Sequence, residues 1–264
     1  MSISTQSLIR SRWQHPGDPP GPARYVRERF GVRFQEARVL GLPGRGVARP
    51  RLVAVHGAGA DYTQLNPLLY GLQRRGLGSL AMNLSGHGEA TGGSAARSSL
   101  DGNAREALRF GERLRPGLLA MLAVDVGAMV GLRLAQSHVQ SIHRLVFVDP
   151  CLYPDDAWTR PLSVVLDCPP LRWSRCGLLG FVQGFLGQVL VITGEDAPVP
   201  LPRRRVERVE PATPADAIVR SLHPRRVSRL VVEGCTGPVM PWLHRHPDAA
   251  DRAAAHLADF LGPM

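Results

Sequence analysis

Short, almost continuous apolar runs alternate along this chain with segments of helical spacing. Arg51–Val55 (RLVAV) predicts a buried strand that stops in a small-residue loop, His56 to Ala60. In Gln64–Arg75, Leu65, Leu68, Leu69 and Leu72 recur at three and four residues, the spacing of one helix face. Leu80–Leu84 predicts a second strand, Leu100–Leu114 a helix, Leu118–Val124 a strand and Val126–Gln136 a helix. Arg144–Val148, Val189–Thr193 and Arg229–Val232 continue the strands, and Asp248–Leu261 makes a last, alanine-rich helix. Val32–Leu42, ending at Pro43 and Gly44, predicts an early strand and turn. Apolar strands alternating with helices imply an α/β protein whose parallel sheet is covered on both faces.

Two stretches break the alternation. Residues 1–24, rich in Pro and Gly, are expected to be a flexible lead-in to one domain spanning 25–264. Residues 151–187, with prolines and scattered tryptophans, are expected to be a short cap insertion. No internal repeat is evident.

Composition narrows the function classes. Of the 264 residues, 44% are hydrophobic and 20% charged, ordinary for a globular domain. The net charge of +10 comes from arginine alone, since the chain has no lysine. The arginines are scattered, and no nucleic-acid motif accompanies them, so neither a nucleic-acid nor a membrane partner is expected. No apolar run reaches the roughly 18 residues of a membrane span, and the start lacks a secretory apolar segment, so a cytoplasmic address is expected. Cys151, Cys168, Cys176 and Cys235 show no metal-ligand spacing and are expected to be small, mostly buried residues. No metal and no cofactor are expected. The expected partner is a small-molecule substrate or ligand; nothing bears on oligomeric state.

Three loops at strand ends carry the candidate chemistry. In His56-Gly57-Ala58-Gly59-Ala60-Asp61, small residues let the backbone turn with N–H groups free to face an anion. In Ala123-Val124-Asp125-Val126-Gly127-Ala128, a sharp strand-to-helix turn lifts Asp125 above the sheet while the N–H of Val126 completes an oxyanion pocket. Ser85-Gly86-His87-Gly88 is a tight turn beside them. Asp125 otherwise serves only as a helix N-cap, and His56 and His87 only as loop-ordering or pocket residues.

The segments VAVHGAGAD, NLSGHG, LAVDVGAMVGLRLA, RLVFVDP, VLVITGED and VVEGCTGPVMPWL, in this order and spacing, resemble the α/β-hydrolase superfamily from about Val32 to Leu261. The elbow resembles most the epoxide hydrolases and haloalkane dehalogenases, whose nucleophile there is aspartate. The resemblance implies a mostly parallel central sheet with helices on both faces and a reduced cap. It also implies a triad that this chain lacks in part. The elbow opens with Ala123 in place of glycine, and the usual acid position falls on Ala197. Asp196, Asp149 and Asp155 are the alternative acids. The position of the general base is Gly237.

Other histidines are the substitutes: His87 from its neighbouring loop, or His244, which with His246 is expected at a surface helix start. His138 and His143 lie at the far edge of the sheet. Trp158, Trp173, Trp242, Phe181 and Phe185 are expected either to wall a pocket under the insertion or to pack in the core.

Without a base, ordinary ester or epoxide hydrolysis is disfavoured. The expected function is an atypical α/β-hydrolase-fold enzyme acting on a small, largely apolar carbonyl or epoxide compound by cyclisation, elimination or ring-opening, as in specialised metabolism. Asp125 would be its acid, base or nucleophile, with His87 and Asp196 the further catalytic candidates. The alternatives are a catalytically inactive binding or scaffold protein and a conventional hydrolase with a relocated histidine.

Overall fold

The computed structural model describes residues 18–31, 33–42, 50–88, 93–113, 117, 119–167, 173–195 and 213–262. In chain order its strands and helices are β1 (Ala23–Phe30), β2 (Arg33–Leu40), β3 (Leu52–Val55), α1 (Asn66–Arg74), β4 (Ser79–Met82), α2 (Leu100–Arg113), β5 (Ala120–Val124), α3 (Gly127–Ser137), β6 (Arg144–Val148), α4 (Leu162–Asp167), α5 (Leu178–Gly184), β7 (Gln188–Gly194), α6 (Pro214–Ser221), β8 (Val227–Val232), α7 (Val239–Arg245) and α8 (Pro247–Leu261). One eight-stranded sheet runs β1-β2-β4-β3-β5-β6-β7-β8. β2 lies antiparallel to β1 and β4, and the remaining neighbours are parallel. No described helix is long and apolar enough to cross a membrane.

The central strands are apolar at every position because each residue meets one of two cores. In β5, Met121 and Ala123 point into the cluster under α2, α3 and the insertion, while Ala120, Leu122 and Val124 point into the cluster under α1, α7 and α8. β3 divides the same way, Val53 and Val55 against Leu52 and Ala54. A strand covered on both sides has no polar face, hence the unbroken runs in the sequence.

The edges are where the sequence pattern says least. β1 begins at Ala23, inside the segment assigned to the lead-in, and all its residues but the buried Glu28 are half-buried or exposed, as suits an edge strand. α4 and α5 lie within the insertion, short helices that periodicity did not mark. The insertion packs down firmly. Leu162 N–H donates to Ser98 C=O at 2.8 Å, and Asp101 N–H to Trp158 C=O at 3.1 Å. Trp158 and Phe185 are buried in the α2/α3-side core, and the Arg133 guanidinium sits 4.8 Å over the Trp158 ring. Trp242 packs against the other core and stacks on His246. Trp158 and Trp242 therefore do not share one pocket wall: the sheet separates them.

Candidate active site

β5 ends at Val124 and α3 begins at Gly127, so the chain must reverse within two residues. Asp125 does this with φ at 51°, a left-handed conformation that costs a non-glycine residue roughly 1–2 kcal/mol. Gly127 makes the turn possible, since a Cβ there would stand 2.3 Å from the His56 carbonyl oxygen. The backbone of the turn is tied on both sides. Asp125 N–H donates to Val148 C=O at 3.0 Å, and its own carbonyl accepts from Ala128 N–H at 3.0 Å and Cys151 N–H at 3.1 Å.

The half-buried Asp125 side chain meets the loop after β3. Its Oδ2 accepts from Ala58 N–H at 3.1 Å. Gly57 has to lack a side chain, because a Cβ there would stand 2.9 Å from the Asp125 Cβ. The N–H of Gly57 donates instead to Gln64 Oε1 at 2.7 Å. Val126 N–H, at the mouth of α3, is among the helix donors that favour negative charge in front of them.

His56 is fully buried behind this loop. Its Nε2 accepts from Leu84 N–H at 3.1 Å, which places the proton on Nδ1, and Nδ1–H donates to Gly57 C=O at 2.9 Å. The Gly57 carbonyl and the Ala58 N–H belong to one peptide unit. His56 thus holds the same peptide that holds Asp125. Burial drives the His56 pKa down to about 4, partly offset by the Gly57 contact.

His87 lies edge-on to His56, ring centroids 5.1 Å apart. Asn103 Nδ2 donates to Ser85 C=O at 3.0 Å, so its Oδ1 is the acceptor for His87 Nε2–H, also at 3.0 Å. Beneath them the buried Glu106 accepts from Ser85 N–H at 2.9 Å and Ser85 Oγ–H at 2.5 Å. Burial and then the His56 charge push the His87 pKa to about 3, against the raising effects of Asn103, Asp125 and the Gly57 backbone. Both imidazoles are neutral at pH 7.

Cys151, which sequence reasoning passed over as a small apolar residue, stands beside Asp125. The Asp125 charge acts on its thiol. Burial first, then Asp125 and Asp149, hold its pKa well above the usual thiol range. Asp149, at the end of the next strand, also has a left-handed backbone, φ 44°, and its Oδ2 accepts from Val239 N–H at 2.6 Å at the start of α7.

At the position where the resemblance puts the general base, a Cβ on the exposed Gly237 would meet nothing within 4 Å. His244 lies within α7 rather than at its start, and its Nε2 donates to Gln64 C=O at 2.9 Å. His246 Nδ1 is 2.8 Å from Trp242 C=O. His138 closes α3, as its place in the sequence suggests. Asp155 accepts from Gly177 N–H at 2.8 Å inside the insertion. Asp196 and Ala197 lie outside the described residues. Among the described residues, no imidazole is hydrogen-bonded to the Asp125 carboxylate, and no group of three or more His, Cys, Asp or Glu side chains is arranged to hold a metal.

A family model described as alpha/beta hydrolase fold matches residues 50–175. Among solved structures, the chain is similar to a thioesterase domain from the curacin biosynthetic pathway, with 14% identity, TM-score 0.59, and 90% of this chain and 99% of that one covered. It is also similar to a thermophilic esterase from Thermogutta terrifontis, with 14% identity, TM-score 0.58, and 90% and 98% covered. A third likeness is the enol-lactonase from Burkholderia xenovorans LB400, with 15% identity, TM-score 0.57, and 86% and 96% covered. No curated protein matches the sequence. At these identities the likenesses speak for the fold and not for a reaction.

Proposed function

From the premise that this chain has the α/β-hydrolase fold, we propose that it is an enzyme of non-triad chemistry. It acts on a small, largely apolar carbonyl or epoxide compound with Asp125 as its reacting group. The observation that carries the reading is Asp125 itself. A carboxylate sits on a strained left-handed turn, half-buried at the mouth of α3, with one oxygen on the Ala58 N–H. Strain of this kind persists where the surroundings enforce it, and it collects at working sites.

Asp125 can attack a carbon electrophile to give an ester, or move one proton. Freeing the ester with water needs a positioned base, a contribution of about 10²- to 10⁴-fold. Gly237 supplies none. Neither His244, which gives its Nε2–H to Gln64 C=O, nor His87, whose pKa burial lowers to about 3, is hydrogen-bonded to the Asp125 carboxylate. Ring-opening, elimination and cyclisation need one proton-transfer group and no relay, which is why the reading favours them.

One observation favours a second reading, a ligand-binding protein without catalysis. The Ala58 N–H that would meet a substrate oxyanion is engaged by Asp125. Wild type and Asp125→Asn, compared on a panel of short esters, lactones and epoxides, separate the two. Equal ligand binding with conversion lost in the variant is the expected result. Intact binding with no conversion by either form would overturn the enzyme reading. Wild type incubated with styrene oxide is expected to gain the mass of one epoxide on the Asp125 peptide.

A further inference from the structure

We propose that Cys151 is the proton donor of this site, a thiol that gives its S–H proton to the oxygen released when Asp125 opens an epoxide. The inference rests on the reading of Asp125 as nucleophile. β5 and β6 are neighbours in register, Val124 opposite Val148. Both chains then turn sharply, at Asp125 and Asp149. Cys151 N–H donates to the Asp125 carbonyl at 3.1 Å. That bond fixes Cys151 next to Asp125, whose charge acts on the thiol. Both residues are half-buried. Asp125 and Asp149 are the charged groups acting on the thiol, and with burial they keep it protonated.

The step balances without a further reactant. A lone pair of the Asp125 carboxylate forms a bond to the ring carbon. The ring C–O bond breaks, and its electron pair goes to oxygen. That oxygen takes the proton from sulfur and leaves a thiolate, so the negative charge passes from carboxylate to sulfur. The esterified Asp125 no longer carries charge. One influence that kept the thiol protonated therefore disappears in the step that uses the proton. Solvent water later restores the S–H.

The test is alkylation of Cys151 by iodoacetamide, followed peptide by peptide by mass spectrometry. Thiolate is the reactive form, and removing an adjacent like charge lowers a pKa by about one unit or more. At pH 8, Asp125→Asn is expected to alkylate at Cys151 about tenfold faster than wild type, with an unchanged thermal midpoint. Equal rates overturn the proposal. Wild type alone gives an independent reading should the variant fail to fold. Its alkylation rate is expected to rise through pH 10, whereas a plateau near the ordinary thiol pKa of about 8.5 overturns the proposal.

The donor step is read from styrene oxide labelling of Asp125. It is expected to slow about 10²-fold in Cys151→Ala and by less than about tenfold in Cys151→Ser, which keeps an O–H; equal labelling in wild type and Cys151→Ala overturns it. Labelled Asp125 with an uncoupled thiol sinks this proposal alone. Unlabelled Asp125 beside a coupled thiol sinks the nucleophile reading on which it rests.

Discussion

Ala58 N–H and Asp125 Oδ2 lie 3.1 Å apart. A backbone donor of the loop after β3 is thus in contact with the side chain that the elbow raises. One carboxylate oxygen is held by backbone while the side chain remains half-buried, so the loop after β3 orients the carboxylate as well as stabilising it.

Gly57→Ala tests that orientation. The added Cβ would stand 2.9 Å from Asp125 Cβ, so the two loops must part. A stability loss of about 1–3 kcal/mol is expected from the overpacking, together with loss of the styrene oxide label on Asp125. Urea denaturation and peptide mass spectrometry measure the two. Full labelling at wild-type rate would mean that the contact does not govern Asp125.

The buried imidazoles predict a pH dependence. His56 and His87 have folded pKa values of about 4 and about 3, both below the ordinary 6.5. In the unfolded chain they take up protons as pH falls through 6.5, and in the folded chain they do not. Their contribution is complete above pH 6.5 and is lost progressively below it. The slope between pH 6.5 and 5 is expected to approach about 1.4 kcal/mol per pH unit for each imidazole. Urea midpoints across this range check the slope, which should shrink in His56→Gln.

Gly237→His puts an imidazole where the structure offers room. An exposed substitution of this kind is expected to move stability by no more than about 0.5 kcal/mol. If Asp125 forms an ester that accumulates, the new imidazole is expected to speed its loss at least about tenfold. The decay of the Asp125 mass increment after removal of excess epoxide is the measurement.

The buried Arg38 is held by hydrogen bonds and aromatic rings. Its Nη2 donates to Asn66 Oδ1 at 2.6 Å and its Nη1 to Tyr70 Oη at 3.2 Å, while its guanidinium carbon lies 4.7 Å from the Tyr62 ring centroid and 5.3 Å from that of Tyr70. This clamp joins α1 to β2. Arg38→Lys keeps the charge but loses the planar fork, and a cost of about 2–4 kcal/mol is expected by thermal or urea unfolding. A change under 0.5 kcal/mol would show that the clamp is not a source of stability.

The elbow was legible because strand, turn and helix follow one another directly: an apolar run, one carboxylate, then Gly127 and helical spacing. His56 was legible as a loop residue, but its proton position was not, since that depends on Leu84 N–H from the next strand. Cys151 was missed for the same reason. A cysteine after β6 reads as a small apolar residue until β5 and β6 pair and carry it to Asp125. The tryptophans were legible only as a choice between pocket wall and core, and Trp158 lies in the core. Nothing in their spacing says that Trp158 and Trp242 end on opposite faces of the sheet.

Local pattern determined the order of the central strands and of the helices α1, α2, α3 and α8, the two-sided burial of the central sheet and the turn that raises Asp125, because apolar period and turn chemistry are properties of neighbouring residues. Tertiary structure alone decided that the carboxylate rests on the Ala58 N–H, that Cys151 stands beside it, that both loop imidazoles are buried and neutral, and that the space at Gly237 is open. Each of these depends on segments far apart in the chain meeting at the ends of adjacent strands, and burial and proximity exist only once the sheet has formed.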